Sequence, residues 1–392
     1  SIAFNLGMLG FFKYWDFFIG EFSELLSYLG FDASLPLLDV ILPGGISFYT
    51  FQTMSYTIDV YRGKTQPTNN FLDFALYVSF FPQLVAGPIE RSSHLLPQIT
   101  LKRKTNGHDF SEGFYHVVTG LFKKVVIADN MAPLVNTVFA RPINDLTGPE
   151  IIMGVYAFAF QIYGDFSGYS SIAKGIAHWM GFDLMWNFKN PYFSASPSEF
   201  WTRWHISLSS WLRDYLYIPL GGNRGGLKKT FRNLMATMCL GGLWHGAGWT
   251  YILWGFYHGV LLVIYHAFEG GKSVETKSVN RISKIVRIFL FFNLIAVSWL
   301  FFRAESIGQI GDMLFLVFSD FTVTAFTMYG VATILFFVLP LMLLEYWTER
   351  SGDMLVLLER SWKIRFVVYS YFIGMLIIFP PLISQEFIYF QF

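Results

Sequence analysis

Two histidines stand in surroundings that make an ionisable side chain costly. His245 lies in Leu240-Gly241-Gly242-Leu243-Trp244-His245-Gly246-Ala247-Gly248-Trp249, within an apolar stretch. An ionisable group at membrane depth marks a functional site by default. An uncharged imidazole can take a proton from a hydroxyl, which is the work of a general base. The four glycines around His245 would loosen the helix and let a ligand approach the backbone. The plainer alternative is a histidine bonded to a neighbouring helix, with the glycines serving helix packing. His205, in Phe200-Trp201-Thr202-Arg203-Trp204-His205-Ile206-Ser207-Leu208-Ser209, falls at the edge of an apolar helix face. It is either a second catalytic group or an interfacial histidine holding its polar tip at the water. Neither histidine has a carboxylate or a third histidine at ligand spacing, so no metal ligation is expected.

Other polar residues offer less. Gly164-Asp165-Phe166-Ser167-Gly168-Tyr169-Ser170 reads as a polar break in an apolar run, and Asp165 would orient a ligand or pair with a neighbouring helix. Ser167 does not satisfy the G-x-S-x-G nucleophile elbow, and the strand that elbow needs is missing. His258 and His266 read as satisfied core or interface histidines, and Glu90 as a local partner of Arg91. The single cysteine, Cys239, excludes a disulfide or a cysteine-built metal site within the chain.

The elements that must position these residues are set by composition. Of 392 residues, 54% are hydrophobic and 14% charged, against about 25% charged in a soluble domain. The apolar runs lack the alternation of a membrane barrel. The expected fold class is therefore all-α, a multispanning membrane protein in one domain over residues 1–392. Apolar segments fall at roughly 2–20, 36–60, 71–89, 113–139, 150–181, 231–268, 284–302, 311–346 and 366–390. The 71–89 run holds Pro82 and Pro88 and has basic residues on both flanks, which predicts a re-entrant segment shaping an internal chamber. Ser196, Pro197 and Glu199 predict a capped helix start. Trp201, Trp204, Leu208, Trp211, Leu212 and Tyr215 then share one face, predicting a continuous interfacial helix that ends at Pro219–Gly226. With 28 basic and 27 acidic residues there is no field to attract nucleic acid, and none is expected as a partner.

Taken together, five strings resemble the membrane-bound O-acyltransferase family, and in particular its bacterial alginate O-acetylation branch. They are Gly44-Gly45-Ile46-Ser47-Phe48-Tyr49-Thr50-Phe51-Gln52, Phe80-Phe81-Pro82-Gln83-Leu84-Val85-Ala86-Gly87-Pro88-Ile89, the Gly164–Ser170 motif, the 200–224 stretch ending Tyr217-Ile218-Pro219-Leu220-Gly221-Gly222-Asn223-Arg224, and Leu243-Trp244-His245-Gly246. The D-alanyl-transferring branch is similar around His205, but the Tyr217–Gly222 continuation is nearer the alginate branch. The resemblance implies that the first passes of the family fold precede Ser1, leaving the chamber's outer wall incomplete. It also implies that His245 is the essential histidine and His205 the second catalytic position, with Trp244, Trp204, Asp165, Ser167 and Arg224 contacting substrate.

The implied activity is transfer of an acetyl group from acetyl-CoA, with no bound cofactor, in the bacterial inner membrane. The implied partners are the periplasmic acetyl-transfer proteins of a polysaccharide system and the lipid bilayer. A transporter whose broken segments line a substrate path is the competing class, and a lipid acyltransferase shares the chemistry and differs only in acceptor. Arg224, Lys228, Lys229 and Arg232 either attract the phosphates of CoA or only set topology. Counting from this loop places His245 near mid-membrane.

Overall fold

The computed structural model describes residues 1–31, 35–38, 40–269, 280–381 and 387–388, and all regular structure among them is helical. α1 (Ile2–Leu9) runs through a π-turn at Gly10–Tyr14 into α2 (Trp15–Tyr28). Then come α3 (Ile46–Tyr61), α4 (Phe71–Ser79), α5 (Ser92–Thr100), α6 (Gly107–Leu121), α7 (Asp129–Ala140) and α8 (Gly148–Trp179). Two short helices follow, α9 (Pro197–Arg203) and α10 (Ile206–Leu212). The rest is α11 (Leu227–His245), α12 (Trp249–Glu269), α13 (Arg281–Arg303), α14 (Ile307–Ser319), α15 (Ala325–Ser351) and α16 (Trp362–Ile378).

α8 is the axis of the fold. Its start is written locally: Thr147 caps it, Glu150 closes the capping box, and a proline sits in the first turn. It packs against α6, α7, α13, α14 and α15, so most of its 32 residues are buried. Glycines let α6 lie close. A Cβ on Gly120 would meet Gly168 O at 2.8 Å, one on Gly168 would meet Gly120 O at 2.8 Å, and Gly113 and Gly175 oppose each other in the same way. Small residues that bring backbones together are the usual device of helices in lipid.

The outer surface carries the apolar side chains Phe289, Leu290, Phe315, Phe336 and Leu339, while Asp165, Lys174 and Glu345 are buried. That inversion of a soluble surface belongs to a membrane protein. α12, α13 and α15 are long and apolar enough to cross a bilayer.

Several expected elements differ. The 150–181 run has no polar break: α8 passes through Gly164–Ser170 without interruption, because its glycines abut α6 and the π-turn at Phe122–Ala128. The 231–268 run is a hairpin of α11 and α12. The 36–60 run becomes helical only at Ile46, and the 311–346 run divides into α14 and α15. In the 71–89 run only α4 is helical, and its nine residues cover about 13 Å, short of the roughly 30 Å of hydrocarbon. The end of the last expected segment lies mostly outside the described residues.

The interfacial helix is not continuous. Ser196 does cap α9, accepting from Glu199 N at 3.2 Å. The chain then breaks at Trp204–His205 and restarts as α10, with His205 at φ 42° and ψ 54°.

Candidate active site

His245 is the last residue of α11, so it closes the helix instead of sitting half way along it. A helix end leaves its last carbonyls without intrahelical partners. Residues from the N-terminal π-turn meet them: Lys13 Nζ donates to Trp244 O and His245 O at 2.9 Å each, and Tyr14 Oη donates to Leu243 O at 2.9 Å. A cation at a helix C-terminus also suits the helix dipole.

The glycines around His245 pack the hairpin and do not loosen the helix. A Cβ on Gly242 would meet Tyr251 O at 2.2 Å, and one on Gly246 would meet the Tyr251 ring at 2.2 Å. In α12, a Cβ on Gly255 would meet Met238 O at 2.2 Å. The imidazole of His245 is walled by Trp254 and Phe302, with ring centroids 5.1 and 5.4 Å away.

His205 reaches the same place from the other side. It is buried, not interfacial, because residues 187–206 fold back into the core. Asn187 fixes this return: its Oδ1 accepts from Ser207 Oγ at 2.9 Å and Ser207 N at 3.3 Å, while its Nδ2 donates to Ser170 Oγ on α8 at 3.1 Å. Ile206 N donates to Asn187 O at 2.9 Å, and Lys189 N to Arg203 O at 2.9 Å. Asn190, also left-handed at φ 45°, donates to Thr348 Oγ1 on α15 at 2.8 Å. Left-handed backbone at a non-glycine residue costs about 1–3 kcal/mol and persists only where the surroundings over-determine it, often at functional sites.

The His205 ring faces Phe166 at 4.6 Å, Trp244 at 6.0 Å, His245 at 6.2 Å and Phe48 at 6.3 Å. Among the described residues neither of its nitrogens has a hydrogen-bond partner. Buried polar atoms are nearly always paired, so such a side chain calls for an explanation in function.

Two cavities approach the pair. One, of about 80 Å³, is lined by Lys13, Gly44, Phe48, Val85, Trp244 and His245. The other, of about 40 Å³, has Lys123, Ser167, Lys174, Asn187, Phe188 and Glu345 in its wall. Phe188 lies 6.4 Å from His205, ring to ring. His205 lines neither cavity, but its ring neighbours Phe48 and Phe188 each belong to the wall of one.

The profile of the membrane-bound O-acyltransferase (MBOAT) family matches residues 66–302. The chain belongs to this family. It is 46% identical over 319 residues to the probable alginate O-acetylase AlgI of Pseudomonas syringae pv. tomato, covering 81% of this chain and 60% of that one. The peptidoglycan O-acetyltransferase of Helicobacter pylori is 39% identical over 329 residues, covering 77% of this chain and 61% of the relative. The teichoic acid D-alanyltransferase of Bacillus subtilis is 28% identical over 275 residues, with 67% and 68% covered. The chain spans about three fifths of the length of the alginate O-acetylases it matches.

In this MBOAT chain the other expected substrate contacts divide. Trp244 lines the His245 cavity with His245. Ser167 lines the smaller cavity. Asp165 points elsewhere, accepting from Ile388 N at 2.6 Å and pairing with Lys124 at 2.8 Å. Trp204 is core, against Phe188 and Trp299 at 5.0 Å each. Arg224 is exposed in the turn before α11, at the opposite end from His245 of a 19-residue helix, about 28 Å along its axis.

Lys13, Phe48 and Asn187 were missed as site residues. Gly44–Gln52 and Phe80–Ile89 meet: a Cβ on left-handed Gly45 would strike Leu84 O at 2.4 Å, which seats the start of α3, and Phe48 with it, against the site.

Proposed function

We propose that this chain is a multipass inner-membrane O-acyltransferase that passes an acetyl group from a cytoplasmic thioester, acetyl-CoA, toward an exported alginate-like polysaccharide. The observation that carries the reading is the buried His205, its two nitrogens unpartnered among the described residues, facing His245 in the wall of a cavity. In the proposed step His245 takes the proton of the acceptor hydroxyl as its oxygen attacks the thioester carbonyl. The new C–O bond forms, the C–S bond breaks, and the departing thiolate takes up that proton. His205 holds or polarises the carbonyl. Direct transfer suffices once both reactants are aligned, so no acyl-histidine is required.

The exposed Arg224, Lys228, Lys229 and Arg232 lie at the end of α11 away from His245. Basic residues favour the cytoplasmic face, which supports donor entry there and acceptor entry from the other side, through periplasmic acetyl-transfer partners. In sealed vesicles of defined orientation, acetyl-CoA should be consumed only at the cytoplasmic face, and labelled acetyl should reach an acceptor confined to the opposite face. Use of both substrates from one face would overturn the through-membrane step. Failure of the intact, folded protein to release CoA would overturn acyl transfer itself.

A further inference from the structure

Away from the His205–His245 pair, α6 and α8 bring three ligand-class side chains to one point. Glu112 and His116 are one turn apart on α6, and His178 is in the last turn of α8. The close approach of Gly113 and Gly175 lets the helices meet there. As a result the imidazoles of His116 and His178 lie parallel, 5.9 Å apart.

Glu112 Oε1 is 3.2 Å from His178 Nε2 and 3.6 Å from His116 Nε2, and the three ligand atoms lie within 4.8 Å of one another. Tetrahedral zinc, with bonds of about 2.0–2.1 Å, sets its donor atoms about 3.3 Å apart. His116 and His178 are 1% and 8% exposed, and among the described residues neither Nε2 has a partner at hydrogen-bond geometry. Two buried nitrogens and a carboxylate oxygen converging in this way share an empty centre better than they bond to each other.

We propose that Glu112, His116 and His178 bind one divalent transition metal of the zinc class, tying the start of α6 to the end of α8. Two imidazoles and a carboxylate are a ligand set zinc takes readily. Asp183 is the nearest donor for a fourth position, its Oδ1 3.7 Å from His178 Nε2. Lys174 donates to the same oxygen at 2.6 Å. With the carboxylates of Glu112 and Asp183 facing the metal and this ammonium, the local charge sums to +1, which the half-open position beside Asp183 can hydrate. The ring of His116 lies 4.9 Å from that of Trp186, whose neighbour Asn187 fixes the first turn of α10. The metal is therefore structural, and steadies the loop that carries His205.

The test uses the whole chain in detergent, stripped with chelator and titrated with Zn²⁺ alone, followed by elemental analysis and thermal unfolding. The folded wild type should take up about one equivalent and unfold at a higher temperature with zinc than without. His116→Ala and His178→Ala should lose affinity by more than the roughly 10–100-fold of an outer-shell change and lose the thermal response. His178→Gln keeps the bulk of the side chain and covers the case in which alanine variants do not fold. Co²⁺ should give visible bands of tetrahedral intensity in the wild type only. Stripped, folded wild type that takes up no zinc, or no more than the variants, would overturn the site.

Discussion

His245 and His205 face each other across 6.2 Å but are held by opposite means. The hairpin of α11 and α12 fixes His245 by backbone proximity: Gly242 and Gly255 each leave room for a carbonyl of the facing helix, and Lys13 and Tyr14 close the helix end. The 187–206 loop fixes His205 by polar side chains, chiefly Asn187 and Asn190, against a strained backbone. The first support is stiff and fails when volume is added; the second fails when a hydrogen bond is removed. The contrast suits the roles proposed for them, His245 as a base held in place and His205 as the group that meets the carbonyl.

The largest expected effect separates the two rings themselves. His245→Ala should lower acyl transfer by about 10²–10⁴-fold with little change in unfolding temperature, since the wall of Trp254 and Phe302 stays. His205→Asn should retain more activity than His205→Ala, because an amide still hydrogen-bonds; equal rates for wild type and both variants would remove His205 from the chemistry.

Adding volume tests the hairpin. Gly242→Val puts carbon against the Tyr251 carbonyl and should cost about 3 kcal/mol or more, at the upper end for overpacking, read as loss of folded, monodisperse protein. A normally stable Gly242→Val protein would show that the helices are not locked backbone to backbone.

Removing one amide tests the loop. Asn187→Ala leaves Ser207 and Ser170 without their partner and should cost about 1–3 kcal/mol. Its activity should fall more than that of an equally destabilised variant elsewhere, since His205 is then less well held. Activity that simply tracks unfolding temperature would contradict the positioning role.

The smallest effect is a pH dependence at the edge of the fold. Glu90 lies 2.7 Å from His94 Nδ1 and, mainly through this bond, raises the His94 pKa above its ordinary value. The contribution to stability is present in full below that ordinary value and is lost as pH rises through the raised one. Unfolding temperature should therefore fall with rising pH across the imidazole range more in the wild type than in His94→Gln, and parallel curves would show that the bond contributes nothing.

What was legible in the sequence was the local chemistry. Ser196 with Glu199 announces a helix start because a cap is made by residues three apart. The membrane character followed from composition, and the pairing of His205 with His245 from the resemblance. The left-handed turn at His205 was not legible, since Asn187 and Lys189 impose it through bonds formed only after the loop folds back. The glycines at 241–248 were visible, but whether they loosen a helix or seat a hairpin depends on α12 being opposite. Lys13 caps a helix end more than 200 residues away in the chain. Glu112 and His116 stand at helical spacing, but without His178 from α8 they are an ordinary pair.

The central claim is that His245 and His205 act as one unit on one reacting group, and a double-mutant cycle measures this directly. Rates of acetyl-CoA consumption by His245→Ala, His205→Ala and the double variant should show strong non-additivity: the double variant should lose about as much as the worse single one. Independent losses that multiply in the double variant would contradict a shared site, whatever each histidine contributes alone.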